Sequence, residues 1–163
     1  YSVSAISTNT APTYLMSYHE LEFLKAEAYV RLNNLTAAED ALENAISAAF
    51  QKVNIGLTAT DAADYYDDYI STKFSVNPLS EVMNQKYIAF FEEEAIEAYN
   101  DYRRLKAMGN NVITLANPAN TTQFPLRLTY GSGDVTTNAN VRNAYGDGTY
   151  VYSENVWWAG GTR

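Results

Sequence analysis

The chain has 163 residues, a length that favours one domain over two. Its formal net charge of −8 at pH 7 argues against binding to nucleic acid or to an anionic membrane surface, because both need a basic face. The absence of cysteine excludes disulfides, zinc–thiolate sites and a cysteine nucleophile.

After an aperiodic lead-in over residues 1–16, hydrophobic periodicity predicts helices over 18–32, 37–51, 61–74 and 79–108. The first three starts carry hydroxyl–acid pairs with the spacing of a capping box, namely Ser17 with Glu20, Thr36 with Glu39, and Thr58 with Asp61. Asn77 followed by Pro78 marks the fourth start, and Gly109 marks its end.

Apolar spacing also predicts which helix faces are buried. The main stripe of the first helix is Leu21, Leu24, Ala28 and Leu32, and a second strip is Phe23, Ala26 and Val30. The second helix carries an alanine-rich stripe, and the short link 33–35 makes the two helices antiparallel neighbours. The third helix is expected to bury Tyr66, Tyr69, Ile70 and Phe74.

Residues 110–163 have almost no helical period and are predicted to be irregular. Turns are predicted at 131–134 and 146–148, and a weak alternation over 126–130 indicates a strand. So long a segment is unusual as a free loop, so we expect it to wrap over the helical part, 17–109, within a single domain of residues 1–163. The aromatic side chains expected to anchor it are Phe124, Tyr145, Tyr150, Tyr152, Trp157 and Trp158.

The residues give little support for catalysis. The one histidine, His19, lies in the first turn of a helix, where a surface or capping role is typical. The acids Glu92, Glu93, Glu94 and Glu97 favour a solvated face over an acid/base pair, because adjacent helical positions point in different directions. No nucleophile elbow, calcium loop or phosphate loop is present, so we predict no catalytic residue, no metal and no cofactor.

Arg103 and Arg104 end the long fourth helix, where cations complement the helix dipole. One of them must face inward if the helix packs, since neighbours are about 100° apart. An inward arginine needs acidic partners, and Asp101 and the acids of the first helix are the candidates. We therefore predict a structural clamp that joins this helix to the helix pair or to the C-terminal segment.

Several segments, in order along the chain, together resemble the C-terminal part of the SusD/RagB family of nutrient-binding outer-membrane lipoproteins, and most closely its SusD-like branch. They are residues 17–28, 85–91 with 97–104, 124–130 with 138–140, and 156–158. The family pattern often has Trp where Tyr87 and Tyr99 stand, and Pro and Glu where Gly131 and Asp134 stand.

The resemblance implies a mainly α fold of tetratricopeptide-like helix pairs with irregular excursions. It implies a surface-exposed, lipid-anchored outer-membrane protein that captures a glycan or other nutrient for a SusC-like TonB-dependent transporter in polysaccharide utilisation. Proteins of this family are not enzymes. The chain opens with Tyr1 and lacks both the family's lipid-attachment cysteine and most of its length, so we expect the C-terminal portion of a larger protein. No ligand-binding residue is carried over.

A tetratricopeptide-like module for a protein partner is the alternative, because the first two helices have the size of one repeat. An independent array is expected to hold three or more repeats. An acid/base glycan hydrolase has less support, since no carboxylate pair is placed on a convincing cleft.

Overall fold

The computed structural model describes residues 14–52, 56–91, 94–110, 112–115 and 123–161. The chain divides into two compact units, Tyr1–Ile113 and Thr114–Arg163. The first unit contains α1 (Tyr18–Arg31), α2 (Leu35–Lys52), α3 (Ala59–Tyr65), a π-helical segment (Tyr66–Ile70), α4 (Ser71–Val76), α5 (Pro78–Ala89) and α6 (Ala95–Ala107). The second unit contains α7 (Ser132–Thr137), α8 (Ala139–Tyr145), α9 (Tyr150–Ser153) and a 3-10 turn (Trp157–Ala159).

The predicted mainly α class is confirmed, and the residues that the structure describes contain no strand. Among these same residues, no helix combines the length and the apolar character needed to cross a bilayer.

Helix ends follow the capping chemistry of the sequence at most of the predicted positions. The side chains of Ser17, Thr58 and Asn77 each accept a backbone N–H at the start of their helix, which confirms these three caps. The predicted stop at Gly109 is also confirmed, because Gly109 has a φ of 75° and the Asn110 N–H donates to the Leu105 carbonyl at 2.9 Å.

The predicted cap at Thr36 is wrong, because α2 begins at Leu35, two residues before the predicted start at residue 37. Asn33 closes α1 in the left-handed region with a φ of 56°, and the N–H of Asn34 donates to the Tyr29 carbonyl at 2.9 Å. The Asn34 side chain then accepts the Ala37 N–H at 3.4 Å. Asn34 therefore supplies the acceptor that we predicted for Thr36.

The two long helices α1 and α2 of the first unit pack extensively against each other. The predicted alanine-rich stripe of α2 comprises Ala38, Ala41, Leu42, Ala45, Ile46 and Ala49. All of these are buried except Ala49, which is half-buried. These small side chains let the backbone of α1 approach closely.

The predicted main stripe of α1 is wrong, since Leu21, Leu24 and Leu32 are exposed. The buried face carries His19, Glu22, Phe23, Ala26 and Glu27, and so includes most of the strip that we predicted as secondary. Three of these side chains are ionisable and pair with ionisable partners, so a count of apolar positions assigned the wrong face.

Helix α3, the π-helical segment and α4 follow one another without a break over residues 59–76. Ala62, Tyr66, Ile70 and Phe74 are buried at intervals of four residues, and the wider π-turn keeps such positions on one face. Tyr69, which was predicted to be buried, is 61% exposed. A prediction from regular α-helical spacing could not include the π-turn.

The predicted single helix over 79–108 is wrong, because it is divided into α5 and α6. Phe90 is fully buried at the end of α5, and the side chain of Glu94 is held by charged partners just before α6 begins. No glycine or proline marks the break, so tertiary contacts override the local helix propensity here.

The second unit is built around α9, in which Tyr150 and Val151 are buried. The strand predicted over 126–130 is absent, and instead the Leu126 N–H donates to the Val151 carbonyl of α9 at 2.8 Å. The turn predicted at 131–134 is also wrong, since α7 begins at Ser132. The turn at 146–148 is confirmed, and Gly148 has a φ of 73°, a conformation that favours glycine.

Candidate functional site

Helix α6 is attached to α1 by a fork of hydrogen bonds from Arg104. The guanidinium donates to both Glu27 oxygens at 2.7 Å, and it also donates to Asp101 Oδ1 at 2.8 Å. Burial alone would raise the pKa of Glu27, but the hydrogen bonds from Arg104 and Arg31 outweigh this effect and hold its pKa below the usual value. The same bonds to Glu27 raise the pKa of Arg104, so the pair stays fully charged at neutral pH.

Lys86 of α5 joins the ionic group formed by Arg104, Glu27 and Asp101. Its ammonium lies 2.7 Å from Asp101 Oδ2 and 5.1 Å from the centre of the Phe90 ring, and the side chain is almost wholly buried. Asp101 therefore bridges a cation of its own helix and a cation of α5. This arrangement joins α1, α5 and α6 through paired charges.

A second ionic group, centred on Glu94, lies at the start of α6, about two helical turns before Asp101. Glu94 Oε2 lies 2.7 Å from His19 Nε2 and 2.8 Å from Lys52 Nζ, so it connects the segment before α6 to α1 and α2. Burial would raise the pKa of Glu94, yet hydrogen bonds from Lys52 and Ser17 and the nearby His19 hold that pKa below its usual value. Because His19 pairs with Glu94 and Glu27 pairs with Arg104, α1 and α6 run side by side in the same direction.

Two expectations about the acidic run and the histidine are corrected by this geometry. His19 is only 2% exposed, so it is not a surface residue, and Glu94 is 6% exposed, so it does not belong to a solvated face. Both can be buried because His19 Nε2 and Glu94 Oε2 pair with each other, while Glu94 Oε1 is buried without a hydrogen-bond partner among the described residues. Glu97 is exposed, while Glu92 and Glu93 lie outside the described residues.

The structure places the other predicted structural residues as follows. Arg103 is half-buried with its guanidinium 5.3 Å from the centre of the Tyr99 ring. Trp157 and Trp158 form the 3-10 turn and are 60% and 58% exposed. The anchoring role of Trp157 and Trp158 stays a prediction. The clamp formed by Arg104 with Asp101, and the choice between Arg103 and Arg104, are predictions that the unfolding experiments in the Discussion test.

The second unit contains a cleft that the sequence did not reveal. Three tyrosine rings, from Tyr130, Tyr145 and Tyr150, lie next to one another, with ring centres 4.9 to 5.9 Å apart and planes tilted by 31° to 66°. They line an open cleft of about 330 Å³, together with Thr129, Ser132, Val135, Thr136, Gly146 and Gly148. We call this feature the tyrosine cleft.

A hydrogen bond and an arginine hold the rings of Tyr130 and Tyr150 in place. Tyr150 is buried, and its hydroxyl accepts the backbone N–H of Tyr130 at 2.6 Å, which ties the two rings together. The guanidinium of Arg127 lies 5.6 Å from the Tyr130 ring centre and 5.2 Å from that of Tyr150. Gly148, with its positive φ, lets the chain turn between α8 and α9, so that each helix contributes one tyrosine.

Neither feature resembles a metal or acid/base centre. In the part of the chain that the structure describes, no group of three or more His, Asp or Glu side chains is placed to hold a metal ion. The carboxylates of the two ionic groups are occupied by cations of neighbouring helices, which leaves them poorly placed for proton transfer to a substrate.

Comparisons with known proteins identify relatives of the chain. Residues 1–131 match the SusD-like family that is described as starch-binding and associating with the outer membrane. The chain is also similar to the crystal structure of a SusD/RagB family protein from Bacteroides thetaiotaomicron, with 49% identity and a TM-score of 0.76. The similarity covers 94% of this chain but 37% of that protein, so the chain spans little more than a third of its length. None of the curated proteins matches.

Proposed function

This chain belongs to the SusD/RagB family. On that premise we propose that it is part of a non-catalytic protein that captures a glycan at the bacterial outer membrane. The observation that carries the proposal is the match of residues 1–131 to a family of starch-binding proteins that associate with the outer membrane. The identity of 49% over 94% of the chain supports the same assignment.

The charge of the protein and the chemistry of its ionic groups agree with capture rather than conversion. A net charge of −8 suits neutral glycans better than phosphorylated or acidic polymers, which a negative protein repels. Hydrolysis of a glycosidic bond needs two free carboxylates across a cleft. Glu27, Glu94 and Asp101 are instead neutralised by cations inside the first unit.

The finer features of the proposal come from the family. We propose a lipid-anchored, surface-exposed protein that passes its ligand to a SusC-like TonB-dependent transporter. Co-purification from detergent-solubilised outer membranes tests the partnership, because a stable complex brings the transporter down with the protein. Protease treatment of intact cells tests surface exposure, since a periplasmic protein would survive it.

The test of glycan capture combines binding with a search for turnover. The protein, as its own cells produce it, is titrated with malto-oligosaccharides and with a panel of other neutral oligosaccharides while reducing ends are measured in parallel. The proposal predicts saturable binding with no new reducing ends. Release of reducing ends would identify a hydrolase, and binding of peptides without any glycan would favour a tetratricopeptide-like interaction module.

A further inference from the structure

The tyrosine cleft is lined by residues of the second unit alone, and the comparisons with known proteins assign no role to it. Its rings belong to three separate pieces of chain: the segment before α7, the end of α8 and the start of α9. In this unit Tyr150 and Val151 are buried. Tyr130 and Tyr145 instead leave part of their rings facing the cleft.

The lining of the cleft indicates that its ligand is uncharged. Every side chain around it is aromatic, aliphatic, a hydroxyl or absent, as at Gly146 and Gly148. A phosphate or carboxylate group would find no cationic partner in such a lining, and burying an unpaired charge is costly. Two arginines lie close by but do not line the cleft: Arg127 packs on the rings of Tyr130 and Tyr150 and lies 3.9 Å from Glu154, and Arg142 donates to the Thr136 carbonyl at 3.4 Å.

The shape of the cleft favours a ring with one apolar face. The tilted tyrosines form a concave aromatic surface, and a tyrosine face offers a large apolar area at low entropic cost. One face of a pyranose presents C–H groups that pack on such a surface, while its hydroxyls point sideways. Thr129, Ser132 and Thr136 line the cleft as well. The Thr136 hydroxyl donates to the Ser132 carbonyl at 2.9 Å and can therefore only accept from a sugar hydroxyl, whereas the other two hydroxyls can donate or accept.

The volume of the cleft limits the size of the ligand. At about 330 Å³ the cleft lies at the small end of the range of roughly 300–1,000 Å³ that is usual for small-molecule sites. It has room for a short piece of a glycan and not for an extended chain. The open mouth allows the remainder of an oligosaccharide to continue into solvent.

We propose that the tyrosine cleft is a subsite that binds one or two neutral sugar rings of the captured glycan. The inference rests on the proposed function for the nature of the ligand and adds the residues that hold it. Tyr130 and Tyr145 supply the stacking surface, Tyr150 positions Tyr130 through its hydroxyl, and the rim hydroxyls of Thr129, Ser132 and Thr136 take part in hydrogen bonding.

The experiment measures the affinity of the protein, as its cells produce it, for whichever oligosaccharide of the panel it binds best. Tyr145→Ala removes a stacking ring and is expected to weaken the affinity by at least about tenfold, whereas Tyr145→Phe keeps the ring and should stay within about threefold. Tyr152→Ala is the matched control, because Tyr152 lies in the same unit but does not line the cleft. Ser132→Trp tests the site independently by filling the exposed rim with a bulky side chain.

Hydrogen–deuterium exchange locates the ligand directly. The inference predicts that the oligosaccharide slows exchange over residues 129–150 in the wild type and has no such effect in Ser132→Trp. If the wild type binds a glycan while Tyr145→Ala and Ser132→Trp bind it equally well, the subsite is refuted and glycan capture stands. If the wild type binds no glycan at all, the proposed function itself fails.

Discussion

The fork between Arg104 and Glu27 gives the sharpest test of how the first unit is held together. Arg104→Met removes the charge and both hydrogen bonds to Glu27 but keeps much of the aliphatic stem. Helix α6 buries few apolar side chains, chiefly Ala98 and Leu105, so we expect its attachment to depend strongly on these polar contacts. Asp101 also loses one of its two cationic partners.

The size of the effect follows from the burial of the two partners. Breaking a buried ion pair by removing one partner costs about 3–5 kcal/mol. Two features reduce this value here. The Arg104 side chain is 40% exposed, so solvent screens part of the interaction, and Arg31 still donates to Glu27 at 2.7 Å. We therefore expect a loss of about 1.5–2.5 kcal/mol in the free energy of unfolding, or about 3–10 °C in Tm for a chain of this length.

Thermal and urea unfolding of residues 1–163, followed by circular dichroism, measures this loss. Lys73→Met is the matched control, because it removes an exposed cation from a different helix and is expected to change stability by less than about 0.5 kcal/mol. A double-mutant cycle with Glu27→Gln should give a coupling energy of about 1 kcal/mol. Arg103→Met is measured beside it, to decide which arginine is the clamp. The reasoning is refuted if Arg104→Met is as stable as Lys73→Met, or if the cycle shows no coupling.

Three further changes test other parts of the account. Because the pKa of Glu27 is lowered in the folded state, its contribution to stability is present at neutral pH and is lost as the pH falls below about 4.3. Acid should therefore destabilise the wild type more than Glu27→Gln, and parallel acid-unfolding curves of the two proteins would contradict this. Gly109→Ala places a side chain at a φ of 75° and should cost about 1 kcal/mol in urea unfolding. Gly133→Ala, inside α7 and with open space around it, should be neutral or slightly stabilising. Equal effects of the two substitutions would show that the left-handed conformation of Gly109 does not require glycine. Tyr66→Phe removes the 2.8 Å hydrogen bond to Glu39 and should cost about 1 kcal/mol by the same measurement, a loss that should vanish in a Glu39→Gln background if the carboxylate charge carries it.

Local chemistry in the sequence was enough to place several helix ends. Ser17, Thr58 and Asn77 cap their helices through contacts to residues only a few positions away, so the spacing alone contains the information. The stop at Gly109 is local in the same sense, because only the backbone conformation of one residue is involved. The SusD/RagB assignment also followed from short segments of sequence, and the comparisons confirm it.

The break between α5 and α6 and the buried face of α1 could not be predicted in this way. Both depend on Glu94 and Glu27, whose partners Lys52 and Arg104 lie 42 and 77 residues away along the chain. From sequence alone an acidic residue is predicted to face solvent, because the cation that would neutralise it in the interior is not known. The pairing of Arg104 with Asp101 was within reach of the sequence, because the two lie three residues apart on one helix.

The tyrosine cleft was missed for a different reason. Helices α7, α8 and α9 have six, seven and four residues, which is too short for hydrophobic periodicity to stand out. One local signal was available, since Asn138 accepts the N–H groups of Asn140 and Val141 and so caps α8. The meeting of Tyr130, Tyr145 and Tyr150 depends on how these short helices fold back, and spacing along the chain does not contain that.

The central claim is that the protein captures a neutral glycan and leaves it intact. The most direct measurement is isothermal titration of the protein, as its cells produce it, with malto-oligosaccharides and the other neutral oligosaccharides of the panel, with reducing ends assayed on the same samples. We expect saturable binding of at least one oligosaccharide and a constant number of reducing ends. Absence of binding across the panel, or a rise in reducing ends, would contradict it.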